Sequence, residues 1–329
     1  MAETLLQVKE LNVAFRTAGG NRNAVERLSF ELRDGEILGI VGESGSGKSV
    51  ASLAVMGLLP AASVMVSGSI RLRGEELLGK TERQLRHIRG KRISMIFQDP
   101  LTSLNPAYTI GNQLIETIRL HRSMNKKAAV ERAIELLTLV GITLPERRMR
   151  QYPYELSGGM RQRVMIALAL SSGPEVLIAD EPTTALDVTI QAGIVDLLLE
   201  LRERLGMSII LISHDLGVVS RIADSVMVLY AGRAVERSEA DKIFKQPHHP
   251  YTQGLLASLP SVSVKRDRLE AIPGAVPDPE ELPQGCKFST RCPYARPLCE
   301  EREPTFETAP DGTGSVRCWI HTKEWENDG

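Results

Sequence analysis

The 329-residue sequence contains no apolar run approaching the ~20 residues that a membrane-spanning helix needs. Its best stretches, Val164–Leu170 and Ile209–Ile212, are far shorter. The opening MAETLLQVKE lacks both the basic region and the apolar region of a secretory signal. A cytosolic chain is therefore expected, with any membrane role running through partners. An excess of positive charge is missing too. Lys+Arg total 40 against 41 Asp+Glu, a formal net charge of -1, which argues against sequence-nonspecific binding of nucleic acid. There is no internal repeat, no low-complexity run and no long heptad stretch. Cysteine is absent until Cys286, and proline is sparse until position 240, beyond which eleven of the 18 fall.

What is present is an ordinary globular balance, 42% hydrophobic and 25% charged. The length suggests about two domains with a sizeable core. Residues 5–15 and 28–41 read as strands, and ILGIVG as the end of a strand entering a buried sheet. SGSIRLRGEEL, RISMIFQD, VLIADEP, MSIILISHD and VMVLYAG add further strands. Helical spacing marks SVASLAVMGLL, GNQLIETIRLHRS, KKAAVERAIELLTLV, GGMRQRVMIALALSS, TTALDVTIQAGIVDLLLELRERLG and DLGVVSRIAD. Alternating strands and helices predict an α/β fold with a largely parallel sheet and a helical insert over about 105–172. Beyond about 245 the chain is expected to be irregular.

Gly42-Glu43-Ser44-Gly45-Ser46-Gly47-Lys48-Ser49 fits a phosphate-binding loop between a strand and a helix. Its glycines let backbone N–H groups wrap a phosphate chain at a helix N-terminus. Lys48 would reach the β- and γ-phosphates, and the Ser49 hydroxyl would hold Mg²⁺. In VLIADEP, Asp180 stands at a strand's carboxyl end, placed to hold Mg²⁺ through water, and Glu181 could take a proton from an attacking water. Ser157-Gly158-Gly159 opens a long apolar helix. As a cap, Ser157 satisfies orphan N–H groups, yet free amides and a helix dipole also make an anion site. A second such site beside a complete phosphate loop suggests sharing between two chains.

The phosphate loop, Gln98 after a strand, LSGGMRQR, LIADEP, ALD at 185–187 and SHD at 213–215 occur in that order. In this the chain resembles the ATP-binding subunits of ABC transporters over about residues 5–245. The resemblance implies an ATPase fold with a RecA-like core, an antiparallel β-subdomain and a helical subdomain. It also implies a sandwich of two subunits around two ATPs. Ser157, Gly158, Gly159, Arg161 and Gln162 would then act in trans, with Ser157 and Gly159 on the partner's γ-phosphate. Asp187 would join the dimer seam and His214 would touch the γ-phosphate. Gln98 would link metal and water to the membrane subunit, and Phe15 would stack on adenine; as a strand residue, Phe15 is equally explained by packing. One departure stands out: many such signatures read SGGQ, where this chain has Met160.

HHPYTQGLLASLP, PGAVPDP and GCKFSTRCPYARPLC resemble the C-terminal extension of the dipeptide/oligopeptide importer branch, which also includes nickel and other small-solute importers. Residues 1–245 are accordingly expected as the nucleotide-binding domain and 246–329 as the extension. Disulfides are disfavoured in a cytosolic chain, and the close C-x-x-C pairs usual for zinc are absent among Cys286, Cys292, Cys299 and Cys318. Four thiolates suit a [4Fe–4S] cluster, which the resemblance favours; zinc and no metal stay open. The expected function is ATP-driven import of di- or oligopeptides. The expected partners are a second, homologous ATPase or another copy of this chain, two transmembrane permeases and, indirectly, an extracytoplasmic binding protein, at the cytoplasmic face of the bacterial inner membrane. The rival is an ABC-type ATPase of DNA repair or the ribosome. It fits poorly with a single cassette and with a Lys48–Asp180 spacing that has no room for a long coiled-coil arm.

Overall fold

The computed structural model describes residues 3–184, 186–258, 272–278 and 280–327. These contain strands β1 (Thr4–Thr17), β2 (Gly20–Arg33), β3 (Ile37–Val41), β4 (Val64–Leu72), β5 (Glu75–Glu76), β6 (Ile93–Ile96), β7 (Val176–Asp180), β8 (Ser208–Ser213), β9 (Ser225–Tyr230), β10 (Arg233–Glu239), β11 (Glu307–Thr308) and β12 (Ser315–Val316). Two compact units emerge. One holds Glu3–Leu32, Ile37–Leu78 and the chain from Ser213 onward; the other holds Arg33–Glu36 and Gly79–Ile212.

In the first unit β2-β1-β4-β5 form the expected antiparallel sheet. Leu6 faces Leu72 and Val8 faces Ile70 across the β1–β4 pair, and the register slips between Lys9 and Asn12. Leu6, Val8, Leu11 and Val13 are buried, the inward side of a half-buried pattern. A second run orders β11-β12-β10-β9-β3. Every residue of β3 is buried, and β3 pairs in parallel with β9, as a continuous apolar strand should. Where 28–41 reads as strand, the structure has two strands. Asp34-Gly35 turns the chain, and the Glu36 N–H returns to the Arg33 carbonyl at 3.2 Å, a pairing of residues that favours turns.

The end of the chain is more regular than its composition predicts. Pro250–Ala257 is a helix, and β12 pairs with β10, Glu236 opposite Val316. Arg233, 4% exposed, ties this segment down through ion pairs to Glu26 at 2.7 Å and Glu303 at 2.6 Å.

In the second unit β6, β7 and β8 are parallel. The helical insert resolves into helices including Ile110–His121, Lys126–Leu139 and Gly158–Ala169. Thr109, Asn125 and Ser157 cap them, each side chain accepting the N–H three residues on. The helix expected from Thr183 starts only at Val188, because Asp187 is its cap and accepts the Ile190 N–H at 3.0 Å. Among the described residues no helix is long and apolar enough to cross a membrane.

Candidate functional site

The first unit holds the phosphate-loop sequence between β3 and the helix Lys48–Val55. Gly42 and Gly47 have φ of +151° and +95°. A Cβ at Gly42 would lie 2.2 Å from the Leu229 carbonyl oxygen, and one at Gly47 2.6 Å from that of Ala24. Only glycine combines that backbone with that closeness. The Lys48 ammonium donates to the carbonyls of Gly42 at 2.7 Å and Glu43 at 2.8 Å and to Ser46 Oγ at 3.3 Å. Lys48 and Ser46 are both buried. The loop is thus a compact turn closed around one ammonium, with Ser49 in the first turn of the helix. His214 is exposed just beyond β8, where Asp215 caps the next helix by accepting the Gly217 N–H at 2.8 Å. Phe15 is half-buried on β1, opposite Val64.

The second unit brings Gln98 and Glu181 together, residues far apart in sequence. Glu181 Oε2 accepts from Gln98 Nε2 and from Thr184 Oγ1, both at 2.9 Å. Asp180 ends the wholly buried strand β7. Glu181 follows with φ of +46°, and its N–H is held by the Ile212 carbonyl at 2.9 Å. A glutamate in this left-handed conformation stores roughly 1–3 kcal/mol, which the clamp of strand and hydrogen bonds sustains. Thr184 is the member of this cluster that sequence reasoning missed; its place three residues after Glu181 was the available signal.

Ser157 caps its helix, accepting the Met160 N–H at 3.4 Å, and is exposed. Gly159 abuts the helix that Asp187 caps: a Cβ there would lie 2.8 Å from Ile190 Cγ2. Arg161 is half-buried, while Gln162 is 1% exposed and lies in the unit's interior. Asp187 is exposed.

Cys286, Cys292, Cys299 and Cys318 line one small cavity with Trp319 and Trp325. All four are free thiols. Burial, reinforced by the neighbouring thiols, pushes Cys286 and Cys318 up to about 12 and raises Cys292. Among the described residues no three His, Cys, Asp or Glu side chains converge into a metal-holding group. The iron–sulfur expectation therefore finds a shared cavity but no assembled ligand set.

Two contacts were not foreseen. Tyr251 and Arg291, both beyond residue 245, bond Glu43 of the phosphate loop. The signal for Tyr251 was the HHPY stretch, and for Arg291 the GCKFSTRCPYARPLC stretch that contains it.

Residues 25–184 match the family described as "ABC transporter", and residues 235–299 match "Oligopeptide/dipeptide transporter, C-terminal region". The chain is 49% identical to the oligopeptide transport ATP-binding protein AppD of Bacillus subtilis (strain 168), over 98% of each chain. It is 48% identical to the dipeptide transport ATP-binding protein DppD of Escherichia coli (strain K12), over 94% of this chain and 95% of that one. Among solved structures it is similar to the dimeric, ADP- and phosphate-bound post-hydrolysis state of the ATP-binding cassette MJ0796. That likeness has a TM-score of 0.64 at 26% identity and covers 71% of this chain and 98% of the other.

Proposed function

Because the chain belongs to the ATP-binding subunits of ABC transporters, we propose that it is the ATPase that energises import of di- or oligopeptides through a membrane permease complex. The observation that carries the substrate class is the joint match to a cassette and to an oligopeptide/dipeptide C-terminal region, with relatives of that description aligned end to end.

In this reading Gly42, Ser44, Gly45, Ser46 and Gly47 wrap the phosphates with backbone N–H groups, and Lys48 neutralises them. The packing of Gly42 and Gly47 against neighbouring carbonyls supports a loop of fixed shape. Ser49, Asp180 and Gln98 offer the oxygen donors that Mg²⁺ prefers; the ion, when bound, offsets charge on the phosphate oxygens. Glu181 polarises the attacking water, with Gln98 as its hydrogen-bonded neighbour. His214 contacts the γ-phosphate and Phe15 stacks on adenine. Ser157, Gly158, Gly159, Arg161 and Gln162 form the signature that meets the nucleotide of a second subunit, Gln162 being buried within its own helix's packing. Asp187 stands at the seam. Closure on ATP and opening after hydrolysis drive the permeases.

The partners proposed are a homologous second ATPase and two permeases, with a binding protein acting on their far side, and the place is peripheral, at the cytoplasmic face of the inner membrane. Residues 246–329 form the extension. For its four cysteines a [4Fe–4S] cluster is proposed, with zinc or no metal as the alternatives; their common cavity supports a shared role, and iron with labile sulfide after anaerobic purification tests it. For the function itself, the chain is tagged, extracted from native membranes in mild detergent, and its partners identified by mass spectrometry. Two polytopic permeases and a second ATPase are expected. Ribosomal or DNA-repair proteins without a permease would overturn the transport reading.

A further inference from the structure

The HHPY stretch and the segment ahead of Cys292 carry part of the likeness to the importer branch, yet none of the residue roles above uses them. We infer that Tyr251 and Arg291 are positioning residues for the phosphate-binding loop, pinning Glu43 so that the loop is preshaped for nucleotide, an inference that rests on the nucleotide reading of residues 42–49.

Every polar group of Glu43 is engaged. Its backbone N–H donates to Tyr251 Oη at 2.9 Å. Its carboxylate accepts both arms of the Arg291 guanidinium, at 2.6 Å and 3.0 Å. Its carbonyl, beside that of Gly42, accepts from the Lys48 ammonium. The carboxylate and the N–H are thus held from the C-terminal part of the chain, and the carbonyl faces the loop's own lysine. With both ends of the residue held, the peptide planes on either side of Glu43 have little freedom, and these planes set the mouth of the loop.

The two clamping residues are themselves immobilised. Arg291 is 6% exposed, and its remaining donors go to the carbonyls of Pro273 at 2.9 Å and Gly274 at 3.2 Å. Its guanidinium also lies 5.8 Å from the Tyr230 ring centroid. Tyr251 is wholly buried, edge-on to Tyr230 at 4.7 Å and tilted on Phe288 at 5.3 Å. Tyr230 ends β9, the strand whose Leu229 carbonyl leaves no room for a side chain at Gly42. The same aromatic cluster therefore braces the clamp and the start of the loop. A bidentate Arg–carboxylate pair, its guanidinium buried and its carboxylate 31% exposed, fixes geometry as well as charge. A loop already in its binding shape spends less free energy on ordering when nucleotide arrives.

The substitutions Tyr251→Phe, Arg291→Lys and Arg291→Met are tested in the full-length chain by equilibrium binding of MgATP and steady-state ATP hydrolysis, with thermal unfolding measured without nucleotide. Tyr251→Phe removes one hydrogen bond and is expected to raise Kd and KM for MgATP roughly fivefold. Arg291→Met is expected to raise both by tenfold or more, with kcat within about twofold of wild type, since bound nucleotide is processed as before. Arg291→Lys keeps the charge without the fork and should recover only part of that loss. Combining Glu43→Gln with Arg291→Met should add little to Arg291→Met alone, because the carboxylate's partner is already gone. Should Arg291→Met fail to fold, Tyr251→Phe and Arg291→Lys decide. Unchanged Kd in those two, even with a lowered unfolding temperature, would overturn the clamp and leave a merely structural contact. A fall in kcat at unchanged KM would overturn it as well. A wild-type chain that does not bind MgATP would remove the nucleotide reading itself, and the clamp with it.

Discussion

His249 starts the helix that carries Tyr251, and it can do so only while neutral. It is 1% exposed, and its Nδ1 accepts the Tyr251 N–H at 3.0 Å. Protonation would turn that acceptor into a donor and would place a charge where water cannot reach. Burial, with the charges of His321 and Arg317 beside it, pushes the ring down from 6.5 to about 3. The Glu236 carboxylate accepts the backbone N–H groups of His248 and His249, at 2.7 Å and 3.0 Å. The folded-state value lies below the unfolded one. Between the two the unfolded chain binds the extra proton, and stability is lost as pH falls through 6.5 toward 3. At pH 5 the unfolded histidine is 1.5 pH units below its own midpoint, so the loss from this one site is about 2 kcal/mol, at 1.36 kcal/mol per unit. The substitution His249→Asn keeps a side-chain acceptor at the cap and removes the titration. Urea unfolding followed by tryptophan fluorescence suits the question, because both tryptophans, Trp319 and Trp325, lie in the same unit as His249. The stability advantage of wild type over His249→Asn should shrink by about 2 kcal/mol between pH 7.5 and pH 5. Parallel pH profiles for the two proteins would refute the reasoning.

Glu181→Gln should bind MgATP like wild type and lose between a hundred- and ten-thousandfold in turnover, the usual worth of a general base. The amide oxygen can still accept from Gln98 and Thr184, so full turnover in an ATPase assay would remove Glu181 from the role. Gly47→Ala should weaken MgATP binding far more than Gly45→Ala. Both have positive φ, but an added Cβ at 47 meets the Ala24 carbonyl at 2.6 Å while one at 45 meets open space. Equal effects in a binding titration would show that backbone strain alone, and not the close approach, is at issue. Lys48→Ala should abolish measurable MgATP binding in the same titration, since the buried ammonium is the loop's only lysine.

Much of this protein was legible without coordinates. Continuous apolar runs such as ILGIV, VLIAD and SIILIS became buried strands, because a strand covered on both faces has no need of alternation. The cap at Ser157 set a helix start through a local hydrogen bond, and residues 42–49 stood out by glycines, of which Gly42, Gly45 and Gly47 take a backbone that no other residue adopts cheaply. These signals are local: a dihedral preference, a side chain bonding its own neighbours, a period. Tertiary structure alone decided the rest. Glu181 meets Gln98 through a single side-chain hydrogen bond, and Arg233 meets Glu26 and Glu303. Nothing in the periodicity of the chain's end foretold that Tyr251 and Arg291 would grip Glu43. Such pairings are fixed by which buried polar groups must satisfy one another once the core has closed, and a one-dimensional pattern carries no record of that.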